Sequence, residues 1–210
     1  MLYIANDVEA AGRRLGFHPT LSLGACVVTR QFLSFEELID KGLVFYAEIK
    51  PHSCESELKA MRVGCSHLIC LDNIRKSDTR YDPISPDFRP DLVLERMQKT
   101  CEEPKVALER HREWVQHVSN GREVEGVTDT VFFDSGRIDL CFGANTNHYS
   151  PFGWKGLDID SLYRGCTGRE DANLRELNIP DTRIKPHRAD HDAVFLAQIA
   201  RVLLYEELGW

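Results

Sequence analysis

Three short hydrophobic runs open the chain: Leu2–Val8, Leu21–Thr29 (LSLGACVVT) and Leu43–Ile49 (LVFYAEI). The connections between them carry Gly and Pro, so the pattern predicts three strands in an antiparallel meander. A helix is predicted over Glu55–Met61. Leu92, Val93, Met97, Val106, Leu108, Trp114, Val115 and Val118 then recur at helical spacing, and Pro104 divides that stretch into two helices. An apolar run at Thr130–Phe133 predicts a further strand, followed by a helix from Ile138. The segment Asp192–Leu208 is apolar on most of its faces and predicts a largely buried helix. Strands first, then helices alternating with strands, imply an α/β fold with a mixed sheet.

Between these elements lies the polar stretch DNIRKSDTRYDPISPDFRP, residues 72–90, with three prolines. Folded-looking sequence continues on both sides of it. It therefore reads as a loop or lid inserted into a single domain spanning residues 1–210, rather than as a linker.

Composition narrows the picture. Of the 210 residues 42% are hydrophobic and 28% charged, ordinary values for a globular protein with a sizeable core. The net charge of −7 gives no bulk attraction to nucleic acid or to an anionic membrane, although bound cations or local basic patches can still hold phosphates. The seven cysteines include no C-x-x-C pair and several fall in apolar runs, as expected of reduced thiols. No apolar stretch approaches the length of a membrane span and no signal-peptide pattern opens the chain, so the expected location is intracellular, in the cytoplasm.

Three stretches carry candidate chemistry. Asp7 and Glu9 close the first strand two residues apart, which puts both carboxylates on one side. Like charges so placed repel unless water screens them or a cation lies between them. In VFFDSGRIDLCF, Asp134 and Asp139 both stand near a helix start, where the dipole favours a carboxylate. In PHRADHDAVFLAQIARVLL, Asp192 falls in the first turn of the last helix and His187 just before it. An imidazole titrates near neutral pH and suits proton transfer, yet both residues could equally cap the helix.

Together, D-V-E-A-A-G, V-F-F-D-S-G-R-I-D-L-C-F and H-R-A-D-H-D-A resemble the three exonuclease motifs of the DnaQ-like, DEDDh 3′–5′ exonucleases, in order and at similar spacing. The resemblance runs nearly end to end: LSLGACVVT is similar to the family's second strand, and GLDIDSLYRG to the segment after its second motif. It implies a ribonuclease H-like α/β fold, a central mixed β-sheet flanked by α-helices. It also implies phosphodiester hydrolysis at single-stranded 3′ ends of DNA or RNA, with nucleoside monophosphates released. Carried over residue by residue, the metal-binding acids match Asp7, Glu9, Asp139 and Asp192, and the general base matches His187. Asp134 competes with Asp139 for the middle acid; Asp139 is preferred for its apolar neighbours Ile138 and Phe142. The implied cofactors are two divalent ions, Mg²⁺ or Mn²⁺, which carboxylate oxygens suit.

The sequence departs from the family after the D-x-E pair. Thr-Thr-Gly and a bulky wedge residue are common there, whereas this chain has Ala10, Ala11 and Gly12 followed by Arg13 and Arg14. Ala10, Ala11, Gly12, Arg13 and, near the histidine, Arg188 are the expected substrate contacts. Trp154 and Tyr149 could stack on bases, but packing is the simpler expectation for aromatics near Pro151 and Gly153. The spacing of His52, Cys54, Cys65, His67 and Cys70 fits no zinc pattern. The alternative function is a nucleic-acid-binding module of the same fold without catalysis. Oligomeric state stays open, with a homodimer among the possibilities.

Overall fold

A computed structural model describes residues 1–210. Five strands form one sheet in the order β3-β2-β1-β4-β5: β1 (Leu2–Ala10), β2 (Thr20–Val27), β3 (Val44–Glu48), β4 (Val124–Thr128) and β5 (Gly156–Asp158). The first three pair antiparallel. β4 and β5 run parallel to β1, each reached by a crossover through helices. The result is the mixed, helix-flanked sheet expected of a ribonuclease H-like fold.

Side-chain alternation along β1 separates two cores. Tyr3 and Ala5 face one cluster, which packs α6 (Ile159–Thr167) and α7 (Ala189–Arg201) through Ile159, Val194, Leu196 and Ala200. Leu2, Ile4 and Val8 face the other, which packs α4 (Pro104–Ser119) and α5 (Asp134–Asn145) through Leu108, Val115, Ile138 and Phe142. A shorter helix, α1 (Phe35–Asp40), is closed by a capping box between Ser34 and Glu37. A π-helical turn, Val202–Glu207, continues α7.

The apolar run before Asp134 is not a strand. β4 ends at Thr128, residues 130–133 form a turn, and α5 starts at Asp134 instead of Ile138. The segment 72–90 is built from short 3-10 turns, Ile74–Lys76 and Thr79–Tyr81 among them. It packs on a third apolar cluster with α2 (Leu58–Gly64) and α3 (Pro90–Thr100), into which Phe88 is buried and against which Ile74 and Tyr81 rest. Pro104 does separate two helices, standing at the first turn of α4. No helix is long and apolar enough to cross a membrane.

Candidate functional site

Every residue of β1 is fully buried except Asp7 and Glu9, which are partly buried near the C-terminal end of the strand. Both share the face of Tyr3 and Ala5, the face covered by α7. The pairing of β1 with β2 shifts register between Glu9 and Ala10, which ends the regular ladder at this point.

Glycine sets how closely α7 approaches. Gly24 on β2 lies opposite Asp7, and a Cβ there would stand 2.1 Å from the backbone carbonyl of Ala189. Only a residue without a side chain lets the first turn of α7 rest on the sheet. That contact brings Asp192 to Glu9: one carboxylate oxygen from each, with a ring nitrogen of His187, lies within 4.8 Å of the others.

Asp134 enters from the opposite side as the first residue of α5. It is buried, and its Oδ1 accepts the backbone N–H of Val8 at 3.3 Å, between the two β1 acids. Behind it, the guanidinium of the buried Arg137 donates to the carbonyls of His18 and Gly12, tying α5 to the turn after β1. A Cβ on Gly12 would fall 2.2 Å from the His18 ring, so this turn too depends on glycine.

The carboxyl groups perturb one another strongly. Burial first, then the charges of Glu9, Asp134, Asp192 and Asp129, hold Asp7 well above the usual carboxylate range. Burial, then Asp192 and Asp134, do the same to Glu9. Asp134 is pushed up to about 7, mainly by burial and by Asp129. Asp7 Oδ2 is buried with no hydrogen-bond partner. Asp192 is the member of the group that makes an ion pair. It accepts Arg183 Nη1 at 2.9 Å and the backbone N–H of His187 at 3.1 Å. The His187 ring is about half exposed at the edge of the cleft, and its backbone is left-handed (φ 65°), unusual for a residue with a side chain. Glu9 and Asp192, with His187, have ligand atoms close enough to share an ion, and Asp7 and Asp134 border them with further carboxylate oxygens, the donor type that hard divalent cations prefer.

The structure therefore brings together Asp7, Glu9, Asp192 and His187, but it joins Asp134 to them and not Asp139. Asp139 is five residues further along α5, which turns it about 140° around the helix axis. It lines a separate cavity with Tyr149 and Trp154. Asp129, just beyond β4, was not anticipated; its position at the C-terminal end of a strand beside β1 is the signal that would have found it.

The expected substrate contacts are placed unevenly. Ala10 and Ala11 are buried, and Ala11 is held by backbone hydrogen bonds to Pro19 and Glu57. Arg13 projects into solvent and pairs with Glu57. Arg188 is committed elsewhere: it makes a two-pronged ion pair with buried Asp190, at 2.7 and 2.6 Å, over the ring of Tyr46.

A second group of potential ligands, Glu48, Cys70 and Cys101, lies below α3. Its carboxylate is already engaged, accepting the N–H groups of Ile69 and Cys70 and the hydroxyl of Tyr46. Among the five cysteines and histidines near residues 52–70, only Cys70 takes part in it. All seven cysteines are free thiols.

No protein-family model matches the sequence. The chain is 26% identical to the 3′–5′ DNA exonuclease Cap18 of Escherichia coli, over 96% of this chain and 91% of that protein. Its structure is similar to the nuclease domain of 3′hExo, a DEDDh family member solved with rAMP, at a TM-score of 0.68 and 14% identity; the match covers 99% of this chain and 94% of that one. It is also similar to E. coli exonuclease I in complex with a dT13 oligonucleotide, at a TM-score of 0.61 and 14% identity, covering 99% of this chain and 42% of that one.

Proposed function

We propose, on the premise that the chain carries the ribonuclease H-like fold of the DEDDh 3′–5′ exonucleases, that it is itself a metal-dependent 3′–5′ exonuclease. It would hydrolyse phosphodiester bonds at single-stranded 3′ ends and release nucleoside monophosphates. The observation that carries this reading is the meeting of Glu9, Asp192 and His187, with ligand atoms within 4.8 Å of one another, beside Asp7, whose buried Oδ2 has no partner, and Asp134, which is hydrogen-bonded to the Val8 N–H. A solvated strand end would not bury four acids together, because each desolvated charge raises the cost of the next.

The donor set fits Mg²⁺ or Mn²⁺, since every group in it is a carboxylate. Asp7, Glu9, Asp134 and Asp192 would hold the ions; Asp134 takes the place that the sequence pattern offered to Asp139. Bound ions supply Lewis acidity toward phosphate, an activated water and stabilisation of the leaving oxygen.

The chain's own groups do the rest. His187, at the solvent edge of the cleft, takes the proton of the attacking water at a ring nitrogen. The Val8 N–H fixes Asp134, and the His187 N–H fixes Asp192, so both carboxylates are oriented before substrate arrives. Arg183, itself paired with Asp181, steadies Asp192.

Incubation with 5′-labelled single-stranded DNA and RNA tests the reading. With Mn²⁺ or Mg²⁺ the label should move down a ladder one nucleotide at a time, with mononucleotides released, and EDTA should stop it. Intact strands, or internal cuts only, would refute it.

A further inference from the structure

Beside the acid cluster, the loop between α5 and β5 combines firm anchoring with exposed aromatic rings. Phe152 is its anchor. The ring packs under the sheet against Gly126, where a Cβ would come within 3.1 Å of it, and lies 5.8 Å from the His111 ring. Ser150 is buried and its carbonyl accepts the Gly153 N–H, while the Thr146 hydroxyl ties the start of the loop to His148. Between and beyond these anchors, Tyr149 and Trp154 are 88% and 96% exposed, and Phe132, two residues before Asp134, is 87% exposed. Packing therefore does not account for these rings. Large aromatics held this openly by a fastened loop point to a binding surface.

The rings border two adjoining cavities. One, of about 360 Å³, lies between Tyr149 and Trp154 with Asp139 and His148 on its wall. The other, of about 260 Å³, shares Asp139, Ser150 and Trp154 with it and extends past Phe132 and Ser135 to Asn6. Asn6 is almost fully buried, and its side-chain oxygen has no hydrogen-bond partner. Such an acceptor is rare in a folded protein. Ser135 follows Asp134 at the start of α5, so this surface begins beside the acid cluster, whereas the Asn6 side chain lies on the face of the sheet opposite Asp7. From Ser135 to Gly143 the surface follows α5 for about 12 Å.

We infer that this surface binds the single strand upstream of the 3′ end, with a base seated between Tyr149 and Trp154 and Asp139 accepting from its amino group. Aromatic faces receive any base by stacking. A carboxylate accepts from the exocyclic amines of cytosine and adenine but finds no such donor on thymine. Lys155, exposed beside Trp154, supplies a positive charge for the backbone. The inference takes the direction of the strand from the exonuclease reading, but binding can be tested without cleavage.

The test measures fluorescence anisotropy of labelled 12-mers of dC and dT with the full chain in EDTA, and KM and kcat in Mn²⁺ for a 12-mer and a dinucleotide. Trp154→Ala should weaken 12-mer binding and raise its KM by about 10-fold, the loss of one stacked base. Its kcat, and its KM for the dinucleotide, should stay unchanged. Tyr149→Ala should act in the same way. Asp139→Asn should erase a preference for dC over dT while retaining kcat. Both aromatic side chains lie on the surface, so neither change threatens the fold. Equal 12-mer affinity in wild type and Trp154→Ala would assign this face to another partner and overturn the inference. A wild type that binds the 12-mer through Trp154 but never cuts it would instead count against the exonuclease reading alone.

Discussion

At the scale of single residues, the cleft is defined by which carboxylates lose water together. Asp7 and Glu9 are the two breaks in an otherwise buried strand, and Asp134 and Asp192 close on them from two helix starts. His187 stands apart in character, half exposed and on a left-handed backbone. His187→Ala should therefore lower the single-turnover rate by about 100-fold while sparing the rise in melting temperature that Mn²⁺ produces. Loss of both together would make the ring a metal ligand and not a base. Spacing along a strand and at a helix start picked out Asp7 with Glu9 and His187 with Asp192, and the resemblance to the exonuclease motifs joined the two pairs. The sequence favoured Asp139 over Asp134 for the third acid for a local reason as well. Val131, Phe132 and Phe133 look like a strand, which moves the helix start to Ile138 and gives Asp139 the position at its first turn. In the structure those residues form a turn, Phe132 lies in solvent, and Asp134 begins the helix.

At the scale of elements, two contacts stand out, one on each face of the sheet. The first is α7 on the sheet at Gly24. Gly24→Ala should force the helix start outward, lowering stability by about 1–3 kcal/mol and cleavage by more than that loss accounts for; urea denaturation and initial rates measure both. Unchanged activity would show that the close approach does not set Asp192. The second contact is α4 against the sheet, through His111. This residue is fully buried among Phe45, Trp114, Phe142 and Phe152, and neither ring nitrogen has a partner. Burial pushes its pKa down to about 3, so the folded ring stays neutral while the unfolded one protonates below about pH 6.5. The unfolded state then binds the extra proton, and stability falls as pH drops from about 6.5 toward 3, by up to about 1.4 kcal/mol per pH unit. The buried acids with raised values act in the opposite sense, so the comparison must be between proteins. His111→Leu should lose less stability than wild type between pH 7 and 5 in urea titrations, and equal losses would contradict the assignment. The meander and the paired helices around Pro104 were legible because apolar periodicity and proline act within one element. The packing of residues 72–90 was not, because short 3-10 turns carry little periodic signal and Phe88 finds its neighbours only in the folded chain.

At the scale of the whole molecule, the mixed sheet gathers the ends of β1 and β4, the start of α5 and the start of α7 into one acidic cleft on a chain of net charge −7. Repulsion among these groups costs stability, and divalent cations should remove that cost. Mn²⁺ should raise the melting temperature of the wild type, and Asp7→Asn should abolish most of the rise; an equal rise in both would place the ions elsewhere. The most direct test of the central claim is to compare Asp134→Asn with Asp139→Asn in digestion of a 5′-labelled single strand with Mn²⁺. Asp134→Asn should reduce cleavage by at least about 100-fold, while Asp139→Asn keeps the wild-type maximal rate. A ladder from Asp134→Asn that matches the wild type would contradict the claim that these four carboxylates form one catalytic cluster.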